Sequence, residues 1–177
     1  TIVDDDGRAL PAGERGEVLI GGDCVGKGYW HDADASAKAF TAGGWLSGDI
    51  GYVDDDGYLF IVDRKKDLII SGGYNIYPLE VENLLYKHPS VAVCALVGEA
   101  DAVKGEIPVA VVVPKPGVEP GAAAGAELIE YCRRHVAAYK APRRVYFIEQ
   151  MPQGPSGKIL KREIRARIAD RTIAPAA

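Results

Sequence analysis

The chain has 177 residues, of which 47% are hydrophobic, so it can form the core of one domain or two small ones and is not a disordered tail. Lys and Arg total 21 against 25 Asp and Glu, a net charge of −4 that argues against nucleic acid as a partner. No charged-then-apolar leader begins the chain, and its apolar runs fall far short of the roughly 20 residues that cross a bilayer. We therefore expect a soluble, cytoplasmic protein without a transmembrane segment.

The cysteines and histidines are too few and too scattered to predict a disulfide framework or a metal site. They are Cys24, Cys94, Cys132, His31, His88 and His135. No two cysteines form a CxxC pair, and no two histidines stand four residues apart on one helix face. We expect no metal and a reducing compartment.

Residues 1 to about 62 are predicted to be rich in β-strand. A strand at residues 1–3 runs directly into the turn at residues 4–7, a start that indicates a cut inside a larger fold. A second strand ends in glycines at 21–22, a short helix begins at Asp32 or Asp34, and a hairpin covers residues 53–62. Between the helix and the hairpin, Ser47-Gly48-Asp49 is predicted to form a turn that presents a carboxylate, either to ribose hydroxyls or only to its own backbone as an Asx-turn.

After the charged pentapeptide at residues 63–67 the pattern changes to alternating strands and helices, which indicates a domain boundary. Strands are predicted at 68–70, 91–97, 107–113 and 144–148, and a loop at 114–125. Helices are predicted from Pro78 to His88, over 127–138 and over about 159–168. The predicted fold class is α+β, with a β-rich part at residues 1–65 and a small α+β domain at 66–177.

Two glycine-containing loops are candidates for chemistry. Gly154-Pro155-Ser156-Gly157-Lys158 lacks the Ser or Thr of a Walker A loop and the closing glycine of a nucleophile elbow. Lys158 is then either a point charge for phosphate or carboxylate oxygens or a solvated surface lysine. The loop Ser71-Gly72-Gly73 allows a ligand to approach the backbone closely, and a plain hairpin turn explains it equally well.

Taken together and in order, four motifs closely resemble those of the adenylate-forming superfamily of acyl-CoA synthetases, luciferases and peptide-synthetase adenylation domains. The motifs are 16–22 with Gly28-Tyr29-Trp30, then 45–49, 63–82 and 155–162. The resemblance implies a two-step ligase. A carboxylate attacks the α-phosphate of ATP with Mg²⁺ to give acyl-AMP and pyrophosphate, and a thiol, usually of coenzyme A, then displaces AMP. The sequence of residues 63–78 is most similar to that of bacterial fatty-acyl-CoA ligases, so a fatty acid is the expected substrate.

The resemblance also implies roles for five residues. Asp49 looks like the carboxylate that holds the ribose hydroxyls, and Arg64 like the cation at the ribose and phosphate end of the nucleotide. Lys66 occupies the hinge position of the small domain, where many relatives carry Asp. Gly73 looks like the glycine past which pantetheine threads, and Lys158 looks like the catalytic lysine of adenylation, bridging the substrate carboxylate and the α-phosphate.

The superfamily's large N-terminal domain, which carries the phosphate loop, most Mg²⁺ contacts and the acyl pocket, has no counterpart in this sequence. We expect residues 1–65 to be the closing β-rich portion of that domain, residues 66–177 to be the mobile lid, and the chain alone to be inactive. Two alternatives stay open: an adenylation domain that loads a carrier protein, and a stand-alone lid without catalysis. The presence of Asp49, Arg64 and Lys158 argues against the second.

Overall fold

A computed structural model of the protein describes residues 1–176 and divides the chain into two compact units, Thr1–Lys66 and the residues from Asp67 onward. Each unit contains its own five-stranded sheet, and helices accompany both. The predicted α+β fold class is confirmed.

The first unit is an antiparallel sheet with one short helix. Its elements are β1 (Ile2–Val3), β2 (Gly16–Ile20), α1 (Ala33–Ala39), β3 (Phe40–Thr41), β4 (Gly44–Val53) and β5 (Leu59–Arg64). Strand β2 lies between β1 and β4, and β4 also pairs with β3 and β5. Of the two predicted N-caps, Asp32 rather than Asp34 caps α1, since the Asp32 carboxylate accepts a hydrogen bond from the backbone N–H of Ala35 at 2.9 Å.

The predicted turn at residues 47–49 is wrong, because these residues lie inside the ten-residue strand β4. Glu17 of β2 pairs with Ile50 and Leu19 pairs with Leu46, so residues 47–49 lie opposite the single residue Val18. Gly48 has a φ of 75°, a left-handed conformation that glycine adopts without steric cost. The extra residues therefore form a bulge within the sheet.

The second unit follows a 3₁₀ turn at Lys65–Asp67. Its elements are β6 (Ile69–Ser71), β7 (Tyr74–Ile76), α2 (Pro78–Leu85), β8 (Val91–Asp101), β9 (Gly105–Pro114), α3 (Ala122–His135), β10 (Arg144–Phe147) and α4 (Lys161–Ala169). Strands β8 and β9 form a long hairpin, β10 adds to β9 in parallel, and the β6–β7 hairpin joins β9 through the pair of Ser71 with Gly105.

The β8–β9 hairpin carries two apolar clusters, because successive side chains of a strand alternate in direction. One cluster combines Cys94, Leu96, Ala110 and Val112 with residues of α2 and α3. The other combines Ala95, Val97, Val109 and Val111 with Ile164 and Ile168 of α4. A strand buried on both faces has a continuous apolar run rather than an alternating one, and this confirms the buried strands predicted at 91–97 and 107–113.

The boundaries of three helices differ from the prediction. Helix α2 ends at Leu85 rather than at His88, because the N–H groups of Lys87 and His88 donate to carbonyls three residues back in a tight turn. Helix α3 begins at Ala122, inside the predicted loop, because Ala122-Ala123-Ala124 are strong helix formers, and it ends at His135. Helix α4 begins at Lys161 because the preceding residues form a closed turn. Within residues 1–176 no helix is both long enough and apolar enough to cross a membrane.

Candidate functional site

Asp49 and Arg64 face each other on neighbouring strands of the first unit. They are register partners in the β4–β5 pair, and the Arg64 Nε atom lies 2.7 Å from Asp49 Oδ1. The Asp49 side chain is 28% exposed and that of Arg64 is 51% exposed, so both can be reached from solvent. A carboxylate accepts hydrogen bonds from hydroxyls, and a guanidinium binds phosphate oxygens. The pair can thus hold a polyol that carries an adjacent anion.

Glu17 holds the bulge that carries Asp49. Its side chain is 10% exposed, and its Oε1 atom accepts a hydrogen bond from the backbone N–H of Gly48 at 3.1 Å. The Lys65 ammonium donates to Glu17 Oε2 at 2.9 Å and to Asp5 Oδ1 at 2.8 Å. These two hydrogen bonds, that to Asp5 first, raise the pKa of Lys65. The role of Glu17 is not predictable from the sequence, which shows only a charged residue at the start of a strand.

Lys66 is the middle residue of the 3₁₀ turn and the last residue of the first unit. Its side chain is exposed and makes no ion pair or hydrogen bond within the described part of the chain. The residues on either side of Lys66 do have charged partners: Lys65 donates a hydrogen bond to Glu17, and the carboxylate of Asp67 lies 3.9 Å from the guanidinium of Arg165. The Lys66 side chain is therefore free of constraints that would hold it to either unit.

Gly72 and Gly73 form the two-residue turn of the β6–β7 hairpin. Their φ angles are 57° and 83°, and a type I′ turn requires positive φ at both central positions. The Gly72 N–H donates to the carbonyl of Lys104 at 2.9 Å, which ties the turn to the β8–β9 loop. A Cβ added at Gly73 would meet nothing within 4 Å, so the backbone is open on that side.

Lys158 lies on a closed turn before α4. The Gly154 N–H donates to the Lys158 carbonyl at 2.9 Å, the Gly157 N–H donates to the Gly154 carbonyl at 2.9 Å, and Gln153 bridges to Ile159. The Lys158 side chain is exposed, and its ammonium has no partner among residues 1–176. The turn thus presents an unpaired positive charge from a fixed backbone.

The described residues provide no metal centre, and two of the three thiols are buried. No group of three His, Cys, Asp or Glu residues within 1–176 is arranged to hold a metal ion. Burial raises the pKa of Cys94 to about 12 and that of Cys132 to about 11, so both remain protonated at neutral pH. The third thiol, Cys24, is exposed.

Comparisons with known proteins identify the class to which this fold and these residues belong. Residues 80–158 match the family model of the AMP-binding enzyme C-terminal domain. A feruloyl-CoA synthase of Amycolatopsis sp is 48% identical over 161 residues, which cover 91% of this chain and 32% of that protein. A 2-succinylbenzoate–CoA ligase of Bacillus cytotoxicus is 40% identical over 169 residues, which cover 96% of this chain and 34% of that protein.

Solved structures of similar fold belong to the same class of protein. The o-succinylbenzoate CoA synthetase of Bacillus subtilis, in complex with its acyl-adenylate intermediate, matches 93% of this chain and 33% of its own, with a TM-score of 0.83 and 36% identity. ATP-bound MatB of Rhodopseudomonas palustris matches 96% of this chain and 34% of its own, with a TM-score of 0.87 and 32% identity. The chain belongs to the adenylate-forming superfamily, which confirms the resemblance, and its second unit carries the AMP-binding enzyme C-terminal domain. It spans about a third of the length of the curated relatives it matches.

Proposed function

We propose that this chain is the C-terminal part of an ATP-dependent acid–CoA ligase, which forms an acyl-AMP and then an acyl-CoA. The observation that carries the proposal is the alignment of 91% of the chain with a relative named as a CoA synthase. The Asp49–Arg64 pair and the unpaired Lys158 supply the charges that such a reaction needs.

In the first step, a carboxylate oxygen of the acid bonds to the α-phosphorus of ATP, and the bond from that phosphorus to pyrophosphate breaks. Asp49 accepts hydrogen bonds from the ribose hydroxyls, and Arg64 offsets the negative charge at the ribose and phosphate end. Lys158 places its ammonium between the carboxylate and the α-phosphate, two anions that otherwise repel each other. Mg²⁺, which we expect to be held mainly outside this chain, would neutralise charge on the phosphates.

In the second step, the coenzyme A sulfur bonds to the acyl carbon, and AMP leaves with the electrons of the mixed-anhydride C–O bond. We assign the passage of pantetheine to the open side of Gly73, where a ligand can lie against the backbone. Lys66 lies at the boundary of the two units, and its side chain makes no ion pair or hydrogen bond within residues 1–176, so it is the proposed hinge between the two steps.

The proposal also concerns which class of acid the ligase activates. The motif at residues 63–78 favours a fatty acid. The names of the relatives instead favour a cyclic or aromatic acid, since they specify feruloyl, 2-succinylbenzoate and an indene-based propanoyl group. Neither class of acid is favoured by the residues with proposed roles, because these residues act on the nucleotide, the reacting carboxylate and the thiol rather than on the acyl chain.

The test uses the full polypeptide that contains this chain. Ferulate, 2-succinylbenzoate and a medium-chain fatty acid are each incubated with ATP, Mg²⁺ and coenzyme A, and AMP and acyl-CoA are quantified by chromatography. We expect stoichiometric AMP and acyl-CoA from at least one acid, and none from the isolated chain. Acid-dependent ATP–pyrophosphate exchange without any acyl-CoA would point to the carrier-protein alternative. No exchange with any acid would contradict the proposed function.

A further inference from the structure

A nearly buried ion pair connects helix α2 to the first residue of helix α4. The Lys161 Nζ atom lies 2.7 Å from Glu82 Oε1, and the two side chains are only 14% and 11% exposed. The same Glu82 oxygen accepts a hydrogen bond from the backbone N–H of Leu96 in β8, also at 2.7 Å. Glu82 therefore joins α2, β8 and α4 at one point.

Lys161 stands three residues after Lys158, and the segment between them is fixed by its own hydrogen bonds. The Leu160 N–H donates to the Pro152 carbonyl at 2.9 Å, and the Gly154 N–H closes the turn on Lys158. Pro152 is buried, so the turn at residues 152–160 is closed at its base. The turn is thus held at two places, at buried Pro152 and at its junction with the first residue of α4.

The Glu82–Lys161 pair is not explained by its contribution to the folding free energy alone. Removing two charges from water costs free energy that their attraction only partly offsets, so a buried pair is often no more stabilising than apolar residues of the same size. Charged side chains are seldom this buried unless they are paired. The pair does fix the position of the first residue of α4 relative to α2, because a charge-assisted hydrogen bond has a defined length and angle.

We propose that Glu82 and Lys161 are positioning residues for adenylation: by fixing the first turn of α4 against β8, they set the orientation of the turn that presents Lys158. Neither residue needs to contact the substrate. The inference rests on the proposed function, because it matters only if Lys158 acts on the α-phosphate. It assigns the effect to one half-reaction, since the transition state of thioester formation does not use Lys158 in this scheme.

The experiment compares half-reactions in the full polypeptide. The variants are Glu82→Gln, which keeps an acceptor for the Leu96 N–H, Lys161→Met, and Lys161→Arg, which keeps the charge. Glu130→Gln is the matched control, because Glu130 forms a 3.1 Å pair with Arg134 on the exposed face of α3. Acid-dependent ATP–pyrophosphate exchange reports adenylation, thioester formation from supplied acyl-AMP reports the second step, and circular dichroism reports folding.

Misplacing a catalytic group by about 1 Å can cost on the order of 100-fold in rate, so we expect adenylation to fall roughly 10- to 100-fold in Glu82→Gln and Lys161→Met. Thioester formation should stay at the wild-type level, Lys161→Arg should recover most of the adenylation rate, and Glu130→Gln should match wild type in both steps.

Three results would overturn the inference: full adenylation in folded Glu82→Gln, an equal loss in both half-reactions, or unfolding of every variant at this pair, which would make its role structural. Failure of the proposed function is recognised separately, because wild type itself would then show no acid-dependent exchange.

Discussion

The role proposed for Lys158 is electrostatic. Its ammonium is exposed and unpaired in the described structure, so Lys158→Ala removes a charge without disturbing the fold. We expect adenylation to fall by about 10² to 10³, the usual effect of removing one transition-state stabiliser, while thioester formation from supplied acyl-AMP is retained. Pre-steady-state measurement of each half-reaction checks this, and equal losses in both would contradict the role.

Substitution of Gly73 should have the opposite effect on the two half-reactions from substitution of Lys158. On the thiol path proposed for Gly73, a side chain at this position would obstruct pantetheine, so we expect Gly73→Ala to slow thioester formation and spare adenylation. The φ of 83° also strains any other residue, by about 1–2 kcal/mol in the left-handed region. Gly72→Ala is the control, because Gly72 lies in the same turn with a φ of 57°. Both variants should lose similar stability on thermal unfolding. Equal thioester rates in the two would remove Gly73 from the thiol path.

The three cysteines should differ sharply in reactivity. Cys24 is exposed, whereas Cys94 and Cys132 are buried with pKa values raised to about 12 and about 11. Since the thiolate is the reactive form, a disulfide reagent at pH 8 should titrate one thiol rapidly in the native protein and all three in denaturant. Cys24→Ser should abolish the fast phase. Two or three fast thiols in the native protein would mean that the core clusters open readily.

At the scale of elements, the bulge in β4 has Gly48 directly before Asp49, which pairs with Arg64 across the β4–β5 ladder. Gly48→Ala places a Cβ at a φ of 75° and should cost about 1–2 kcal/mol of folding free energy. Relief of that strain would shift the bulge, so we also expect weaker AMP binding by calorimetry in the full polypeptide. Gly57→Ala is a matched control, because Gly57 has a φ of 86° in the β4–β5 turn and an equally open Cβ position. Equal loss of AMP affinity in both variants would separate the bulge from nucleotide binding.

The bulge in β4 could not be predicted from the sequence, whereas several other features could. The N-cap at Asp32, the helix start at Pro78 and the buried strands were predictable, because each depends on local chemistry or on the period of the apolar residues. Ser47-Gly48-Asp49 has the composition of a turn, and only its pairing with β2 shows that it lies within a strand. The sequence pattern could not show that Glu17 or Glu82 would matter, since their partners are 31 and 79 residues away.

The two units of the molecule differ in how much core each possesses. Of the buried hydrophobic residues among 1–176, only Ile2, Val3, Val18 and Ile50 belong to the first unit, and the second unit contains the other 23. In the first unit, Tyr58, Leu59, Phe60 and Ile61 are 68%, 50%, 44% and 51% exposed along the start of β5. Apolar burial is the main source of folding free energy, so the first unit has far less of it to offset its conformational entropy.

This imbalance predicts a firmly folded second unit and a loosely held first unit when the chain is studied alone. Amide hydrogen exchange followed by mass spectrometry should show slow exchange in β8 and β9, and fast exchange in β4 and β5, because protection tracks the free energy of local opening. The full polypeptide is the control, since additional chain that covers β5 should slow exchange there and leave β8 and β9 unchanged. Uniform protection on both sides of Lys66 would contradict the prediction, and would mean that the strands of the first unit need no further partner.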